Sequence, residues 1–194
     1  MRRFHAEFAV TASTRVLDVG GTSLNWSLAP VRPRLVVLNL PRTRQETDAG
    51  STLVFGDGCA LPFRDAAFDI VFSNSVIEHL GSEENQQRFA AEVRRVGKRY
   101  WVQTPNRWFP VEVHLLMPFL HWLPRSWQSA VARRFTVWQW IERPSPDRRD
   151  YYVNHYLESV RLLDETALRG LFPGSAVVKE RFLGLVKSLV ASRR

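Results

Sequence analysis

Polar residues at or just past the ends of short apolar runs are the positions of this sequence best suited to bind a ligand. These positions are Asp18 with Gly20 and Gly21, then Asn39, then Asp57, and finally Ser73 with Asn74. The amide of Asn39 can hydrogen-bond two adjacent hydroxyls, as on a ribose, and the carboxylate of Asp57 can accept from an exocyclic amine. The glycine pair allows a tight turn and a close approach by a ligand. Each position alone could be an ordinary turn residue, but together they predict a nucleoside pocket.

A parallel sheet would bring these positions to one edge. The apolar runs that predict strands cover residues 15–19, 35–40, 52–55, 68–72 and 99–103. Near-continuous apolar runs are typical of parallel strands that are buried on both faces. Helical or loop crossovers between them predict an α/β fold with a Rossmann-like, doubly wound, mostly parallel sheet. In such a sheet, a ligand binds beyond the carboxyl ends of the strands, near the point where the strand order reverses.

Two helices and a terminal hairpin complete the predicted domain. Helices are predicted over residues 82–96 and 164–171, because each begins with a residue that caps helix N-termini, a serine and an aspartate. Strand-like runs follow at residues 176–183 and 185–191, joined at Gly184. Two strands this close in sequence form a hairpin, since parallel strands need a longer connection. The sheet should therefore finish with an antiparallel strand.

Three sequence blocks resemble class I S-adenosylmethionine-dependent methyltransferases. They are VLDVGG at residues 16–21, GDGCALPF at residues 56–63 and FDIVFSNSVIEHL at residues 68–80. The closest group is the one that includes ubiquinone- and menaquinone-biosynthesis-type enzymes, and the resemblance covers residues 15–106. The second and third blocks are specific in combination, whereas a glycine pair alone is not. The resemblance implies S-adenosylmethionine as the cofactor and methyl transfer as the reaction.

The resemblance also implies roles for the polar positions. It implies cofactor binding by Asp18, Gly20, Gly21, Asn39, Asp57, Gly58, Cys59, Ser73 and Asn74. The residues after strand one would hold the methionine end of the cofactor, Asn39 the ribose hydroxyls and Asp57 the adenine amine. A backbone amide at position 58 or 59 would bind a ring nitrogen. The pair after strand four would contact the methionine moiety and face the acceptor.

Two departures from the family pattern bear on the cofactor. The family has further glycines in the loop after strand one, where this chain has Thr22 and Leu24, and an Asp or Glu where it has Asn39. Asparagine keeps one acceptor oxygen and lacks the charge. A nicotinamide enzyme would need G-x-G-x-x-G and an acidic residue on strand two, so it fits this chain less well. If the loop cannot admit the cofactor, the chain is a methyltransferase-like scaffold.

Acceptor chemistry centres on a histidine after strand four. Methyl transfer is an in-line displacement, so the protein supplies mainly positioning and electrostatics, but a hydroxyl acceptor also needs a base. His79 is the favoured base because a neutral imidazole is available near pH 7. It could instead be a structural residue before the helix predicted over residues 82–96. Asn106, Glu112 and His114 are predicted near the acceptor, or else are ordinary surface residues. No metal ligands are predicted, and one cysteine excludes a cysteine-based zinc cluster.

An aromatic, helical insertion is predicted over residues 107–150. It holds Trp108, Trp122, Trp127, Trp138 and Trp140 together with seven arginines. Ser126 would cap a helix whose apolar stripe runs through Trp127, Val131, Phe135 and Trp138. The insertion could pack on the sheet as a substrate lid or meet an anionic membrane surface. Stacking on single-stranded nucleic acid is a third option, disfavoured because no RNA-binding module accompanies it.

Composition sets the outer limits of these interpretations. The chain has 194 residues, 45% of them apolar, which predicts one domain over residues 1–194 and excludes a disordered, collagenous or coiled-coil chain. Its 27 Lys and Arg against 19 Asp and Glu give a net charge of +8, which suits an anionic partner or simply aids solubility. No membrane span or signal peptide is visible, so we expect a cytoplasmic protein, with peripheral membrane contact as an alternative.

The sequence therefore predicts an S-adenosylmethionine-dependent methyltransferase acting on a small-molecule or lipid-linked acceptor. Two alternatives stay open. One is a methyltransferase-like binding or scaffold protein with little activity, and the other is an RNA methyltransferase. The sequence predicts neither the acceptor atom nor the oligomeric state.

Overall fold

A central sheet organises the computed structural model, which describes residues 1–22, 26–27, 29–41 and 50–194. In the described part of the chain, seven strands form one sheet in the order β3-β2-β1-β4-β5-β9-β8. These strands are β1 (Arg15–Val19), β2 (Arg34–Asn39), β3 (Ser51–Phe55), β4 (Phe68–Asn74), β5 (Gly97–Pro105), β8 (Ala176–Phe182) and β9 (Leu185–Arg193). A separate small hairpin pairs β6 (Val111–Glu112) with β7 (Met117–Pro118).

The direction of the strands confirms the predicted fold class. β1 pairs in parallel with β2 and β4, β2 with β3, and β4 with β5. β9 is antiparallel to β5 and forms the predicted hairpin with β8. The strand order reverses at β1, because the chain first adds β2 and β3 on one side and then β4 and β5 on the other. The edge beyond the carboxyl ends of β1 and β4 is therefore the expected ligand-binding crevice.

Besides two short 3₁₀ helices, Ile77–His79 and Leu120–Trp122, six α-helices lie wholly within the described residues. They are α1 (Arg2–Phe8), α2 (Glu83–Val96), α3 (Arg125–Ala132), α4 (Val137–Glu142), α5 (Pro146–Ser159) and α6 (Glu165–Leu171). The Ser82 hydroxyl accepts from the Asn85 amide, and the Asp164 carboxylate accepts from the Ala167 amide. Both predicted N-caps are thus confirmed. Gly97 ends α2 as predicted, and β5 begins at the same residue.

Two apolar layers cover the sheet because successive side chains of a strand point to opposite faces. Leu17 and Val71 belong to one core with Phe89 of α2 and with residues of α6. The neighbouring residues Val16 and Ile70 belong to the other core, which is rich in aromatic rings from α1. Burial of these apolar side chains contributes about 25 cal/mol per Å². The parallel strands are consequently held rigidly, and the loops that follow them start from fixed positions.

The segment after β5 has its own small core, and its helices differ from the predicted one. Ser126 lies inside α3 and does not cap it, since α3 begins after Pro124. The predicted stripe is also wrong, because the chain leaves the helix at Arg133 and a new helix, α4, begins after Thr136. The Thr136 hydroxyl accepts from the Gln139 amide and so starts that second helix. No helix of the described residues is long and apolar enough to cross a membrane.

Candidate cofactor and acceptor site

A tight turn after β1 occupies the point where the strand order reverses. Gly20 has φ +76°, a conformation that favours glycine, and its amide donates to the Leu38 carbonyl at 2.8 Å. A Cβ atom at Gly20 would come within 2.5 Å of the Val76 side chain. A Cβ at Gly21 would lie 1.8 Å from a carboxylate oxygen of Asp18. Both predicted glycines are therefore required by the packing of the turn itself.

Asp18 is fully buried beneath this turn. Its Oδ2 accepts from the indole Nε1 of Trp26 at 2.7 Å, whereas its Oδ1 is buried with no partner among the described residues. Burial raises the pKa of the Asp18 carboxyl to about 7, and the Trp26 hydrogen bond only partly offsets this effect. A buried acceptor of this kind is stabilised by a donor from a ligand or a water molecule. The unpartnered oxygen thus fits the amino group at the methionine end of S-adenosylmethionine.

Stability should fall with rising pH because of this carboxyl. The folded chain holds a proton on Asp18 up to about pH 7, whereas the unfolded chain releases it near its ordinary pKa of about 4. Between these values the unfolded state binds fewer protons, so the free energy of unfolding decreases as pH rises, by at most about 1.4 kcal/mol per pH unit. We expect Asp18→Asn to remove this slope in urea denaturation between about pH 5 and about pH 7. An unchanged slope in that variant, beside an Asp65→Asn control, would contradict the assignment.

Asn39 is the last residue of β2 and Asp57 lies two residues after β3, so both are at strand ends, as predicted. The Asn39 side chain is buried, and its Nδ2 donates to the Gly21 carbonyl at 2.9 Å. This bond ties the end of β2 to the glycine turn, so part of the Asn39 amide supports the fold. Asp57 is exposed, and its Oδ1 accepts from the Cys59 amide at 2.8 Å. The ribose and adenine roles of these two residues stay predictions.

The residues around Asp57 pack on α2. A Cβ at Gly58 would lie 3.1 Å from the ring of Phe89, so the backbone closely approaches that helix. The Cys59 thiol donates to the Asn85 carbonyl at 3.4 Å. Burial and the neighbouring Asp57 carboxylate raise the pKa of this thiol to about 11. A thiol with such a pKa is a poor nucleophile, so Cys59 acts through its packing and its backbone and not as a reactive thiol.

The two predicted residues at the end of β4 differ in their surroundings. Ser73 is fully buried, and its hydroxyl donates to the Val19 carbonyl at 3.0 Å. That bond holds β4 against β1 at the reversal point. Asn74 is exposed at the same edge, one residue further on. Of the two, Asn74 has the side chain that is open to a ligand.

Four titratable side chains meet where β4, β5 and the small hairpin come together. His79 Nε2 lies 3.1 Å from His114 Nε2, and His114 Nδ1 lies 2.5 Å from Glu112 Oε1. Glu78 Oε2 accepts from the Thr104 hydroxyl at 3.0 Å. We call Glu78, His79, Glu112 and His114 the histidine–glutamate cluster. Val76 packs against Gly20 of the glycine turn and precedes Glu78, the first member of the cluster, by two residues. The cluster therefore borders the predicted crevice.

Burial controls the protonation of the cluster. Burial, followed by repulsion from His114, lowers the pKa of His79 to about 4. Burial is the largest single effect on His114 and acts to lower its pKa, but the hydrogen bond to Glu112 and the charges of Glu112 and Glu78 together outweigh burial and raise that pKa. Burial raises the pKa of Glu78 to about 7. His79 is therefore neutral at pH 7, as a general base requires.

Sequence reasoning found three members of the cluster and missed the role of Glu78. His114 lies 35 positions after His79, and no local spacing reveals that their rings touch. The side chain of Asn106 lies outside the cluster. Its Nδ2 donates to the Val186 carbonyl and its Oδ1 accepts from the Trp108 amide. Asn106 thus fastens the end of β5 to β9, and its predicted contact with an acceptor stays a prediction.

A groove of about 1050 Å³ opens between α2, α6 and the segment that follows β5. None of the predicted cofactor residues lines it. Its walls include Arg107, Arg125 and Arg161 together with the indoles of Trp108 and Trp122. Tyr156 also lines the groove, and its ring centroid lies 6.1 Å from that of His114. The groove therefore adjoins the histidine–glutamate cluster and combines cationic and aromatic groups.

Comparison with known proteins agrees with this fold. Residues 33–100 match a family described as a methyltransferase domain. A protein of Encephalitozoon cuniculi that is described as a methyltransferase is 47% identical over 49 residues, which cover 25% of this chain and 23% of that protein. The chain thus spans about a quarter of the length of this relative.

Two solved structures extend the comparison to nearly the whole chain. One is magnesium protoporphyrin IX methyltransferase from Synechocystis with bound SAH, at 13% identity and a TM-score of 0.54, covering 99% of this chain and 80% of that chain. The other is named as a Zn-dependent alcohol dehydrogenase from Rhodobacter sphaeroides, at 12% identity and a TM-score of 0.62. That match covers 99% of this chain and 88% of that chain. At such identities the likeness shows the fold.

Together, the sheet and these matches define a Rossmann-like fold of the kind found in S-adenosylmethionine-dependent methyltransferases. They support the methyltransferase class that the sequence predicts. The ubiquinone- and menaquinone-type group stays a prediction.

Proposed function

We propose that this chain is an S-adenosylmethionine-dependent methyltransferase. The observation that carries the proposal is the match of residues 33–100 to a methyltransferase domain, which includes both Asn39 and Asp57. Asn39 ends β2 and Asp57 follows β3, both at the same sheet edge as the glycine turn. A dehydrogenase shares the fold, but a nicotinamide cofactor is typically recognised by an acidic residue at the position of Asn39.

The residues of the crevice have distinct tasks under this proposal. When bound, S-adenosylmethionine supplies an electrophilic methyl group on a sulfonium sulfur. Asp18 would accept from the amino group of the cofactor, and Asp57 would accept from its adenine amine. The bond from the acceptor to the methyl carbon would form as the sulfur–carbon bond breaks, and an acceptor hydroxyl would also have to lose its proton. Neutral His79, which borders the crevice, would take that proton.

Thermal denaturation with added ligands tests the cofactor assignment. A ligand that binds only the folded state stabilises it by about 2.7 kcal/mol at one hundred times its Kd. We expect S-adenosylmethionine and its demethylated product to raise the Tm, and NAD to leave it unchanged. A rise with NAD alone would favour a dehydrogenase, and no rise with any of the three would favour a scaffold.

For the acceptor, we propose an apolar or lipid-linked molecule that is reached at an anionic membrane surface. The support is a group of exposed aromatic side chains in the segment that follows β5, each at least 45% exposed: Trp108, Trp122, Trp127, Phe135 and Trp140. Monomeric soluble proteins rarely expose a large apolar patch without a partner. The segment also carries seven arginines, and guanidinium groups suit phosphate-bearing headgroups. The cationic, aromatic groove beside His114 has the chemistry to hold such an acceptor.

Liposome co-sedimentation tests the membrane contact. Trp127 and Trp140 are 65% and 73% exposed, so replacing both with alanine should remove interfacial anchors with little effect on the fold. We expect wild-type binding to increase with anionic lipid, to decrease with salt, and to drop in the Trp127→Ala, Trp140→Ala double variant. A Phe55→Ala variant, altered at an exposed aromatic residue of the outer strand β3 and outside this segment, should bind like the wild type. If the wild type does not bind anionic vesicles at low salt, these exposed aromatic side chains contact a different partner.

A further inference from the structure

Three side chains of the histidine–glutamate cluster have the chemistry and spacing of a metal site. Glu78, His79 and His114 each offer one ligand atom, and these atoms all lie within 4.8 Å of one another. We propose that they bind a divalent transition-metal ion, with Zn²⁺ the best match. Neither the sequence nor the methyltransferase class predicted it. Metal binding itself does not depend on the proposed function.

The spacing of the two imidazoles suits a shared ion. Zinc–nitrogen bonds of about 2.0–2.1 Å in a tetrahedral site place two ligand nitrogens about 3.3 Å apart. The Nε2 atoms of His79 and His114 are 3.1 Å apart, and the rings are nearly perpendicular, at 89°. Only small side-chain shifts would therefore let both nitrogens reach one ion.

An independent observation on Glu78 points to the same position. The residue is fully buried, and its Oε1 has no hydrogen-bond partner among the described residues. Its other oxygen is held by the Thr104 hydroxyl at 3.0 Å, which fixes the carboxylate. Leaving a buried carboxylate oxygen unpartnered costs free energy. Coordination of a cation would satisfy this oxygen.

Glu112 prepares His114 to be a ligand. Its Oε1 accepts from His114 Nδ1 at 2.5 Å, and its two oxygens also accept from the backbone amides of His114 and Leu115. A proton on Nδ1 leaves the lone pair of His114 on Nε2, the atom that faces His79. A carboxylate behind a coordinating histidine is the usual supporting arrangement at zinc sites.

The charge of the cluster also favours a cation. Glu78 and Glu112 are both buried, and in the described part of the chain neither pairs with a lysine or an arginine. Two facing imidazoles without an ion must instead share a proton between their Nε2 atoms. A divalent ion would match the two carboxylates and take the place of the shared proton between the two nitrogens.

Three protein ligands would leave one position of a tetrahedral ion open. The cluster lies beyond the carboxyl ends of β4 and β5, beside the glycine turn and the groove. If the proposed function is correct, an acceptor oxygen would take the open position. With the ion bound, His79 would be a metal ligand and no longer the base. A hydroxyl bound to the ion ionises more easily, and its proton would leave to solvent before the oxygen receives the methyl group.

Calorimetric titration of the chelator-treated full chain with ZnCl₂ tests the site. We expect one Zn²⁺ per chain, with the affinity reduced on the order of 100-fold or more by His79→Gln, His114→Gln or Glu78→Gln. Loss of the supporting carboxylate in Glu112→Gln should reduce it by roughly 10–100-fold. His121→Gln, which changes a half-buried imidazole outside the cluster, should bind like the wild type.

Substitution with Co²⁺ gives a second readout, because a tetrahedral site with nitrogen ligands produces visible absorption bands that Glu78→Gln would alter. Circular dichroism checks that each variant is folded. The proposal is overturned if the wild type binds no Zn²⁺, which would leave a proton-sharing histidine pair, or if all four cluster variants bind like His121→Gln. Titration with S-adenosylhomocysteine in the same samples separates a failed metal site from a failed cofactor assignment.

Discussion

Gly21→Ala should destabilise the chain by about 3 kcal/mol, at the upper end of the range for overpacking a buried position. The added Cβ would lie 1.8 Å from Asp18 Oδ2 and 2.1 Å from its Cγ. The carboxylate cannot move aside freely, because it is fully buried and holds the Trp26 indole at 2.7 Å. Relief of the clash therefore requires either breaking that hydrogen bond or moving the turn.

Gly170→Ala is the matched control for this variant. Gly170 lies within α6, and a Cβ there would meet no atom within 4 Å. Alanine at such a helical position should stabilise the chain by roughly 0.4–1 kcal/mol. Urea denaturation of both variants measures the contrast. Equal midpoints for Gly21→Ala and the wild type would mean that the turn is open and that Asp18 is not packed beneath it.

Asp57→Ala should weaken the binding of S-adenosylhomocysteine by roughly 1.5–3 kcal/mol, the usual value of a hydrogen bond to a charged group. That corresponds to roughly a 10- to 150-fold higher Kd. Asp57 is exposed at the end of β3, with one oxygen engaged by the Cys59 amide. Its carboxylate is thus fixed in direction and accessible to a ligand.

Two further variants separate binding from local structure. Asp57→Asn keeps an acceptor for the Cys59 amide and loses the charge, so its affinity should fall between those of alanine and the wild type. Asp65→Ala removes an exposed carboxylate that pairs with Arg95, and it should leave the Kd unchanged. Wild-type affinity in Asp57→Ala, measured by calorimetry, would remove Asp57 from the site.

The parts of the fold that follow from local signals could be predicted. The strands β1 to β5 are short apolar runs ended by polar or turn residues, and α2 and α6 begin at side chains that cap their own amides. The hairpin at Gly184 follows from the short connection between two apolar runs. Such signals lie within one element, so one sequence suffices to read them.

The aromatic segment could not be predicted in the same way. Residues 127–138 have helical apolar spacing, yet the chain breaks the helix because Thr136 caps a new one. Trp138 then packs in the small core, at 9% exposed, whereas Trp127 and Phe135 remain on the surface. Spacing alone does not reveal which apolar side chains find a partner.

The candidate site likewise has a part that could be predicted from the sequence and a part that could not. The polar residues after the strands are placed by the sheet and were predictable, but their partners come from distant elements. The contact of His79 with His114 and the link from Asn39 to Gly21 depend on tertiary packing. Leu24, which departs from the family pattern, lies outside the described residues. Thr22 is described and exposed beside the glycine turn.

The central claim, that the crevice at the reversal of the strand order binds S-adenosylmethionine, is tested most directly by calorimetric titration of the purified chain. The account predicts saturable binding of one S-adenosylmethionine or S-adenosylhomocysteine per chain, which an excess of NAD does not displace. Tight binding of NAD with no binding of S-adenosylmethionine would contradict it.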